Sequence, residues 1–135
     1  MLFGFFRRRN DSGLWGEEVA ARMLAGIGFK VLGKRVRVGV RDEIDILARD
    51  GDALVFVEVK TRASRMFGRP ASSVNRHKRH VLSRAAARYL KSRKFPRVFF
   101  RFDVVEVVGR PGDDAPEVNH IRNAFQMDPR YRLPY

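Results

Sequence analysis

Apolar residues recur at a helical spacing near the start of the chain. In the segment 12–29, SGLWGEEVAARMLAGIGF, the residues Ala20, Leu24 and Ile27 fall on one face of a helix. Glycines at positions 26 and 28 follow this pattern and mark its end. The first predicted element is therefore an amphipathic helix whose apolar stripe faces the core.

The pattern further along predicts strands on both sides of a second helix. Runs of apolar and β-branched residues indicate strands, and an Asp-Gly pair between two such runs indicates a hairpin turn. The predicted elements are a strand at 30–39 broken near Gly33, a hairpin at 41–62, a helix at 74–94 with Ser73 as its N-cap, a strand at 96–108 and a short strand at 118–121. The order of helix, three strands, helix and strand predicts one α/β domain with a small central sheet.

The hairpin register predicts which face carries the charged side chains. With Asp50-Gly51 in the turn, Asp45 faces Phe56 across the hairpin. Glu43 faces Glu58 in the same register. One face is then predicted to carry Glu43, Asp45, Phe56, Glu58 and Lys60, and the other an apolar layer of Ile44, Ile46, Val55, Val57 and Val59.

Two acids and a lysine on one sheet face suggest a metal site. In the predicted register Asp45 and Glu58 are diagonal neighbours, roughly 7–8 Å apart at the backbone. Mg²⁺ or Mn²⁺ takes oxygen ligands and uses only one or two carboxylates beside substrate phosphates and water. Lys60 could hold a phosphate oxygen or the attacking water, so the set suits metal-assisted phosphodiester hydrolysis. The alternative is an ordinary Glu58–Lys60 salt bridge on a solvated face.

The first helix offers a further carboxylate. Glu17 shares the stripe of Ala20 and Leu24, whereas Glu18 projects about 100° away from it. Glu17 is therefore predicted to reach the metal site as a further ligand or water anchor. The alternative is a plain acidic residue in the first turn, which the helix dipole favours.

The charge balance points to a polyanionic partner. Lys and Arg number 28 against 15 acidic residues, which gives a formal charge of +13. Nucleic acid, with DNA ahead of RNA, is the expected partner of such a chain. The sequence contains no cysteine, which excludes disulfides and thiolate zinc sites.

The ends of the chain are predicted to lie outside the folded domain. No apolar run is long enough to span a bilayer, and the order of residues in MLFGFFRRR does not fit a secretory signal, so we expect a cytoplasmic protein without stable membrane insertion. Weak contact of the first residues with a membrane surface is the alternative to a frayed terminus. The predicted divisions are a flexible basic N-terminus at 1–12, the α/β domain at 13–124 and a C-terminal tail at 125–135.

Basic residues on the second helix and on the loop before it form a candidate nucleic-acid surface. The helix stripe consists of Arg76, His80, Arg84, Arg88 and Lys91, and the loop and its flank contribute Arg62, Arg65 and Arg69. Lys78 lies within the apolar sector of the helix, so either its stem packs on the core or its ammonium reaches the catalytic edge. A solvated helix face is the alternative reading of the stripe, since Lys and Arg are good helix formers.

Four ordered segments carry a resemblance to a known family. They are GLWGEEVAARML, DEIDILARDGDALVFVEVKTR, GRPASSVNRHKRHVL and RFDVVEV. Together, over about residues 13–108, they resemble the YraN family of bacterial proteins. That family is similar to PD-(D/E)xK nucleases of the Holliday-junction resolvase type.

The resemblance implies a restriction-endonuclease-like αβββαβ core with a mixed central sheet. It implies that Asp45, Glu58 and the Val59 carbonyl are metal ligands and that Lys60 orients the water or stabilises developing charge. Glu17 would match the first-helix glutamate of the superfamily, with Glu18 as the fallback. The oligomeric state stays open, with a homodimer suggested by analogy with the resolvases.

Three functions are compatible with these features. The first is a Mg²⁺- or Mn²⁺-dependent DNA endonuclease acting on branched or damaged DNA. The second is a nucleic-acid-binding module with an inactive nuclease-like site, because such folds also serve as binding modules. The third is a protein that binds an acidic surface of replication, recombination or ribosome machinery.

Overall fold

The chain forms two helices and five strands. The computed structural model describes residues 2–64, 74–94, 96–131 and 133–134, with side chains from Ser12 onward. The elements are α1 (Leu2–Gly26), β1 (Lys30–Val38), β2 (Asp42–Asp50), β3 (Ala53–Arg62), α2 (Arg76–Ser92), β4 (Phe99–Val108) and β5 (Glu117–Phe125). The predicted order of elements is confirmed, and the short strand predicted at 118–121 is a full strand of the sheet.

The five strands form one mixed sheet in the order β1-β2-β3-β4-β5. Strands β3 and β4 are parallel, and the other neighbouring pairs are antiparallel. A parallel pair needs a long crossover connection, and α2 lies within that connection. The chain is thus a single-domain α/β protein compatible with the predicted αβββαβ core.

Each face of the sheet is covered by one helix. On one face Ala20 and Leu24 of α1 pack with Val57 of β3 in a buried cluster. On the other face Leu90 of α2 packs with Phe56. Since both faces are buried, the central strands are almost continuously apolar.

The predicted stripe of α1 is correct at two of its three apolar positions. Ala20 and Leu24 are fully buried, but Ile27 is 48% exposed. The reason is that α1 ends at Gly26, so the helical period does not extend to Ile27. The helix also begins at Leu2 rather than near Ser12.

The predicted hairpin register is wrong by two residues. Asp50 pairs with Ala53, so the turn residues are Gly51 and Asp52 rather than Asp50 and Gly51. Gly51 has a φ of 58°, a left-handed conformation that glycine adopts without a steric penalty. A shift of two residues preserves the faces, since side chains alternate with a period of two.

The predicted apolar layer is also wrong at one position. Ile46 packs on the α1 side of the sheet, whereas Ile44 packs on the α2 side. The pairing of β2 with β3 extends no further toward this end than Ile46 and Val57. On the other side of β2, the pairs with β1 pass from Lys34–Ile46 to Val36–Ile44 without one between Arg35 and Asp45, and Arg35 has a φ of 50°. Local irregularity beside Asp45 therefore breaks the strict alternation.

The N-cap of α2 is Asn75 rather than Ser73, which lies outside the described residues. The Asn75 side chain accepts a hydrogen bond from the backbone nitrogen of Lys78 at 2.7 Å. Asparagine is among the best N-cap residues because its side-chain oxygen satisfies such an amide. None of the described helices is apolar enough over a sufficient length to cross a membrane.

Residues after β5 pack against α2. The buried Ser83 hydroxyl accepts a hydrogen bond from the backbone nitrogen of Asp128 at 2.8 Å. Arg79 of α2 donates to the backbone carbonyls of Gln126 and Met127 at 2.8 and 3.2 Å. These contacts hold the outer surface of α2 against the C-terminal segment.

Candidate active site

Asp45 lies where β2 and β3 separate. Its Oδ2 accepts a hydrogen bond from the backbone nitrogen of Val59 at 2.9 Å. Continuing the register of Ile46 and Val57 by one residue places Asp45 opposite Glu58, instead of diagonal to it as predicted. The side chain of Asp45 thus accepts a hydrogen bond from a β3 amide that would otherwise face the neighbouring strand. This bond fixes the carboxyl group beside Glu58.

The carboxyl groups of Asp45 and Glu58 form a close pair. Glu58 is only 8% exposed. Burial raises the pKa of Asp45 to about 8, with further increases from the Glu58 charge and from a hydrogen bond with Glu58. The hydrogen bond from the Val59 amide lowers the pKa of Asp45, but burial and Glu58 outweigh it. At neutral pH the pair therefore holds a proton, as expected for two carboxylates that share a desolvated position.

Lys78 reaches this pair from the first turn of α2. Its Nζ lies 2.8 Å from Oε2 of Glu58, and its side chain is 44% exposed. Burial alone would lower the pKa of Lys78, but the charge and hydrogen bond of Glu58 and the charge of Asp45 raise it overall. The ammonium is therefore charged. Of the two alternatives for Lys78, the structure has the one in which the ammonium reaches the edge with the carboxylate pair.

Glu17 of α1 forms the other side of this region. Its Oε1 lies 2.7 Å from Nε of Arg35, and its side chain is 12% exposed. Glu18 instead points outward, at 47% exposure, and pairs with Lys34. Glu17 is thus the inner carboxylate of α1, and its charge contributes to the raised pKa of Asp45.

A glycine allows α1 to approach the sheet at this point. A Cβ at Gly16 would collide with the Thr61 side chain at the end of β3. Close contact of helix and strand here brings the next residue, Glu17, beside the β1 strand that carries Arg35. Nothing in the alternating pattern of β1 distinguishes Arg35 from its basic neighbours, so its part in this region was not predictable.

The predicted metal ligands are only partly assembled. Within the described ranges, no three His, Cys, Asp or Glu side chains converge in a way that could hold a metal ion. Asp45 and Glu58 are brought together, while Glu17 is engaged by Arg35. The Val59 amide binds Asp45, and a ligand role for the Val59 carbonyl stays a prediction.

Lys60 follows Phe56 and Glu58 on the same face of β3 by strand alternation and is half-buried. Its partner in the parallel β3–β4 ladder is Glu106, which is 4% exposed. Oε2 of Glu106 lies 3.2 Å from Nε of Arg62. The end of β3 therefore places further charged groups next to the carboxylate pair, and its Arg62 is engaged in an ion pair.

The predicted nucleic-acid residues have different surroundings. Arg76 and Arg88 are exposed on α2. The ring nitrogens of His80 contact the hydroxyl of Tyr131 at 2.9 and 3.2 Å. Two predicted members, Arg65 and Arg69, lie outside the described residues.

Arg84 makes an ion pair that the sequence pattern does not reveal. Its Nε and Nη2 donate to the two oxygens of Asp42 at 2.8 and 2.7 Å, and Asp42 is 4% exposed. Arg84 lowers the pKa of Asp42 through these hydrogen bonds. This pair joins the start of β2 to α2, so Arg84 has a structural contact in addition to its predicted role.

The contacts of another buried carboxylate, Asp103, were also not predictable from the sequence pattern. It is 0% exposed and accepts hydrogen bonds from Arg101 and the backbone of Asn123. Its Oδ2 lies 2.8 Å from Nε2 of His120. Because these partners satisfy it fully, we regard Asp103 as a structural link between β4 and β5.

Residues 16–107 match a protein family described as "Uncharacterised protein family UPF0102". The chain is 45% identical over 119 residues to a UPF0102 protein of Chlorobaculum tepidum, a match that covers 85% of this chain and 92% of the relative. It is 40% identical over 117 residues to a UPF0102 protein of Clostridium kluyveri, with coverage of 87% and 95%. A UPF0102 protein of Syntrophotalea carbinolica is 43% identical over 121 residues, with coverage of 90% and 96%.

Proposed function

The chain belongs to family UPF0102, which is the YraN family that its motifs resemble. The family description names no activity, so we propose a function from the site itself. We propose that the protein is a divalent-cation-dependent endonuclease that hydrolyses phosphodiester bonds in DNA. The supporting observation is the close pairing of Asp45 with Glu58 beside a cationic surface.

The donor set fits a hard divalent cation. The two carboxyl groups lie close together, and one of them is protonated because two negative charges there would repel each other. A cation between them would remove this repulsion. Asp45 and Glu58 would hold Mg²⁺ or Mn²⁺ with their oxygens. When bound, such an ion supplies Lewis acidity and positive charge to the phosphodiester.

The surrounding residues have separate parts in this proposal. The Val59 amide orients Asp45, and the ammonium of Lys78 orients Glu58. Lys60, on the same face of β3, would orient the attacking water or stabilise charge on the phosphate. Glu17 would act on the water from the α1 side, because its charge acts on Asp45 while its carboxylate is held by Arg35.

The proposed substrate is DNA, with branched or damaged DNA as the preferred form. The formal charge of +13 supports a polyanion, and exposed Arg76 and Arg88 would contact backbone phosphates. Action on branched DNA follows from the resemblance to resolvases, which also suggests a homodimer.

Cleavage of defined DNA substrates tests this proposal. Purified protein would be incubated with linear duplex, single-stranded and four-way DNA in Mg²⁺, Mn²⁺ or a chelator. We expect ion-dependent cleavage that disappears in Asp45→Asn, Glu58→Gln and Lys60→Met while the variants retain the native circular dichroism spectrum. Glu43→Gln is the matched control, since Glu43 is an exposed acid on the same strand.

A second candidate is a nucleic-acid-binding module with an inactive site. Lys78 and the shared proton already balance the carboxylate pair, which favours this alternative. It predicts salt-sensitive DNA binding that persists in all three variants and no cleavage with either ion. Unchanged cleavage in all three variants would contradict the proposed nuclease mechanism.

A further inference from the structure

A basic cavity lies apart from the carboxylate pair. It has a volume of about 530 Å³ and is bounded by the end of β1, the β1–β2 turn and the last turns of α2. Three of its lining residues, Arg37, Arg88 and Lys91, are basic, and none is acidic. We call this cavity, lined by Arg37, Gly39, Arg88, Tyr89 and Lys91, the Arg88 pocket.

A glycine makes room for the cation at the centre of the pocket. Gly39 has a φ of 65°, and a Cβ there would lie 2.7 Å from Nη1 of Arg88. The Arg88 guanidinium therefore rests directly on the β1–β2 turn. Tyr89 and the buried Val38 supply the apolar part of the wall.

The positive charge of the pocket has little local compensation. In the part of the chain that the structure describes, the ion pair of Arg37 is a long one, 3.9 Å from Nη1 to Glu43. Arg88 acts electrostatically on Asp42, but that carboxylate already accepts two hydrogen bonds from Arg84. Cations held together in this way favour an anion between them.

The helix dipole does not explain such a site. The pocket lies at the C-terminal end of α2, where the helix carries partial negative charge. We therefore assign anion binding there to the basic side chains of Arg37, Arg88 and Lys91. Neutral substitutions of these side chains should therefore abolish anion binding, because the helix backbone does not contribute to it.

We infer that the Arg88 pocket binds a backbone phosphate of the nucleic acid, away from the phosphate at the carboxylate pair. This inference rests on the proposed nucleic-acid partner but not on catalysis. Helix α2 joins the two positions, with Lys78 at the pair and Arg88 ten residues later. At 1.5 Å per residue this separation is about 15 Å, or about four base steps at ~3.4 Å.

Binding measurements without divalent ions test this inference. Fluorescence anisotropy of a labelled DNA duplex in chelator, over a series of salt concentrations, would compare the wild type with Arg88→Gln/Lys91→Gln. We expect the double variant to bind about tenfold more weakly at low salt, with a salt slope smaller by about one for the lost phosphate contact. Wild-type affinity and slope in the double variant would overturn the inference.

The matched control is Arg49→Gln, which removes a positive charge from an exposed site near the opposite end of β2. Its DNA affinity should stay within twofold of the wild type. If Arg49→Gln weakens binding as much as the double variant does, the effect comes from net charge and the pocket is not the site.

A free nucleotide is the other source of the same phosphate chemistry. Titration with thymidine 5′-monophosphate, followed by the amide signals of Val38 and Gly39, separates the two. A mononucleotide that binds the pocket more tightly than an oligonucleotide does would overturn the assignment to a nucleic-acid backbone.

The inference and the proposed function fail in different ways. Asp45→Asn should abolish cleavage and leave the anisotropy curve unchanged, whereas Arg88→Gln/Lys91→Gln should weaken binding even in chelator. Absence of cleavage together with a loss of binding in the pocket variant would reject the nuclease and retain the pocket. Cleavage by the wild type together with unchanged binding in the pocket variant would retain the nuclease and reject the pocket.

Discussion

The backbone nitrogen of Val59 donates a 2.9 Å hydrogen bond to the Asp45 carboxylate, and this bond lies at the point where β2 leaves β3. One side chain therefore takes the place of the strand partner and at the same time faces Glu58. Strand pairing and carboxylate geometry are coupled at this position. A substitution of Asp45 should consequently affect the protein's stability as well as its chemistry.

The pH dependence of stability should reveal the shared proton. The pKa of Asp45 is raised to about 8 in the folded protein, chiefly by burial and by Glu58. Between its unfolded value and pH 8 the folded state holds the extra proton, so the free energy of unfolding falls as pH rises. The slope approaches about 1.4 kcal/mol per pH unit. Urea unfolding of Asp45→Asn between pH 5.5 and 7.5 should show that this slope is lost.

Binding of a divalent ion should stabilise the fold through the same pair. Mn²⁺ at 100 times its dissociation constant should add about 2.7 kcal/mol to the free energy of unfolding. Thermal melts with and without Mn²⁺ should show a rise in Tm for the wild type and for Glu43→Gln. Glu58→Gln should show no rise, and an equal rise in that variant would place the ion elsewhere.

Loss of Lys78 should leave Glu58 buried without its cation. Because Lys78 is partly exposed, we expect Lys78→Met to reduce the free energy of unfolding by about 1–2 kcal/mol, less than the full cost of breaking a buried pair. Urea unfolding checks this value, and adding Glu58→Gln should recover most of it. Lys34→Met, which removes the cation from exposed Glu18, is the control and should have no measurable effect.

The Asp42–Arg84 pair should be visible in acid unfolding. Arg84→Met leaves a buried carboxylate unpaired and should cost about 3 kcal/mol at neutral pH. Arg84 holds the pKa of Asp42 below its ordinary value, so this contribution is present above about pH 4 and disappears as pH falls further. The stability difference between wild type and variant should therefore shrink toward pH 3. A difference that persists at low pH would show that packing, rather than charge, is responsible.

The contact of α1 with β3 should tolerate no added methyl group. Gly16→Ala forces a Cβ against Thr61 and should cost about 1–3 kcal/mol. Thr61→Ala in the same chain should recover part of this loss. Gly26→Ala is the control, because no atom lies within 4 Å of a Cβ there. A loss in Gly26→Ala equal to that in Gly16→Ala would point to backbone effects instead of the collision.

Periodicity predicted the features that depend on local sequence. The order of elements, the inner position of Glu17 and the common face of Asp45 and Glu58 follow from periods of 3.6 and 2. The turn could be placed in more than one way around Gly51, so the predicted register was wrong by two residues. A shift of two leaves Asp45 and Glu58 on the same face.

Contacts between distant segments could not be predicted in this way. The pairs Arg84–Asp42 and His80–Tyr131 depend on how α2 packs between the sheet and the C-terminal segment. Ile44 also lies on an unexpected face, because irregularity beside Asp45 interrupts the alternation of its strand. These features arise from tertiary packing, which leaves no periodic signal in the sequence.

The docking of the C-terminal segment on Ser83 and Arg79 has a mechanical consequence. Helix α2 is held from both sides, so under the proposed function it would keep Lys78 and Arg88 at a fixed separation. If the protein cleaves DNA as proposed, a strand bound at Arg88 would reach the carboxylates at a constant distance, so that fragments cut from a fixed end would cluster at one length.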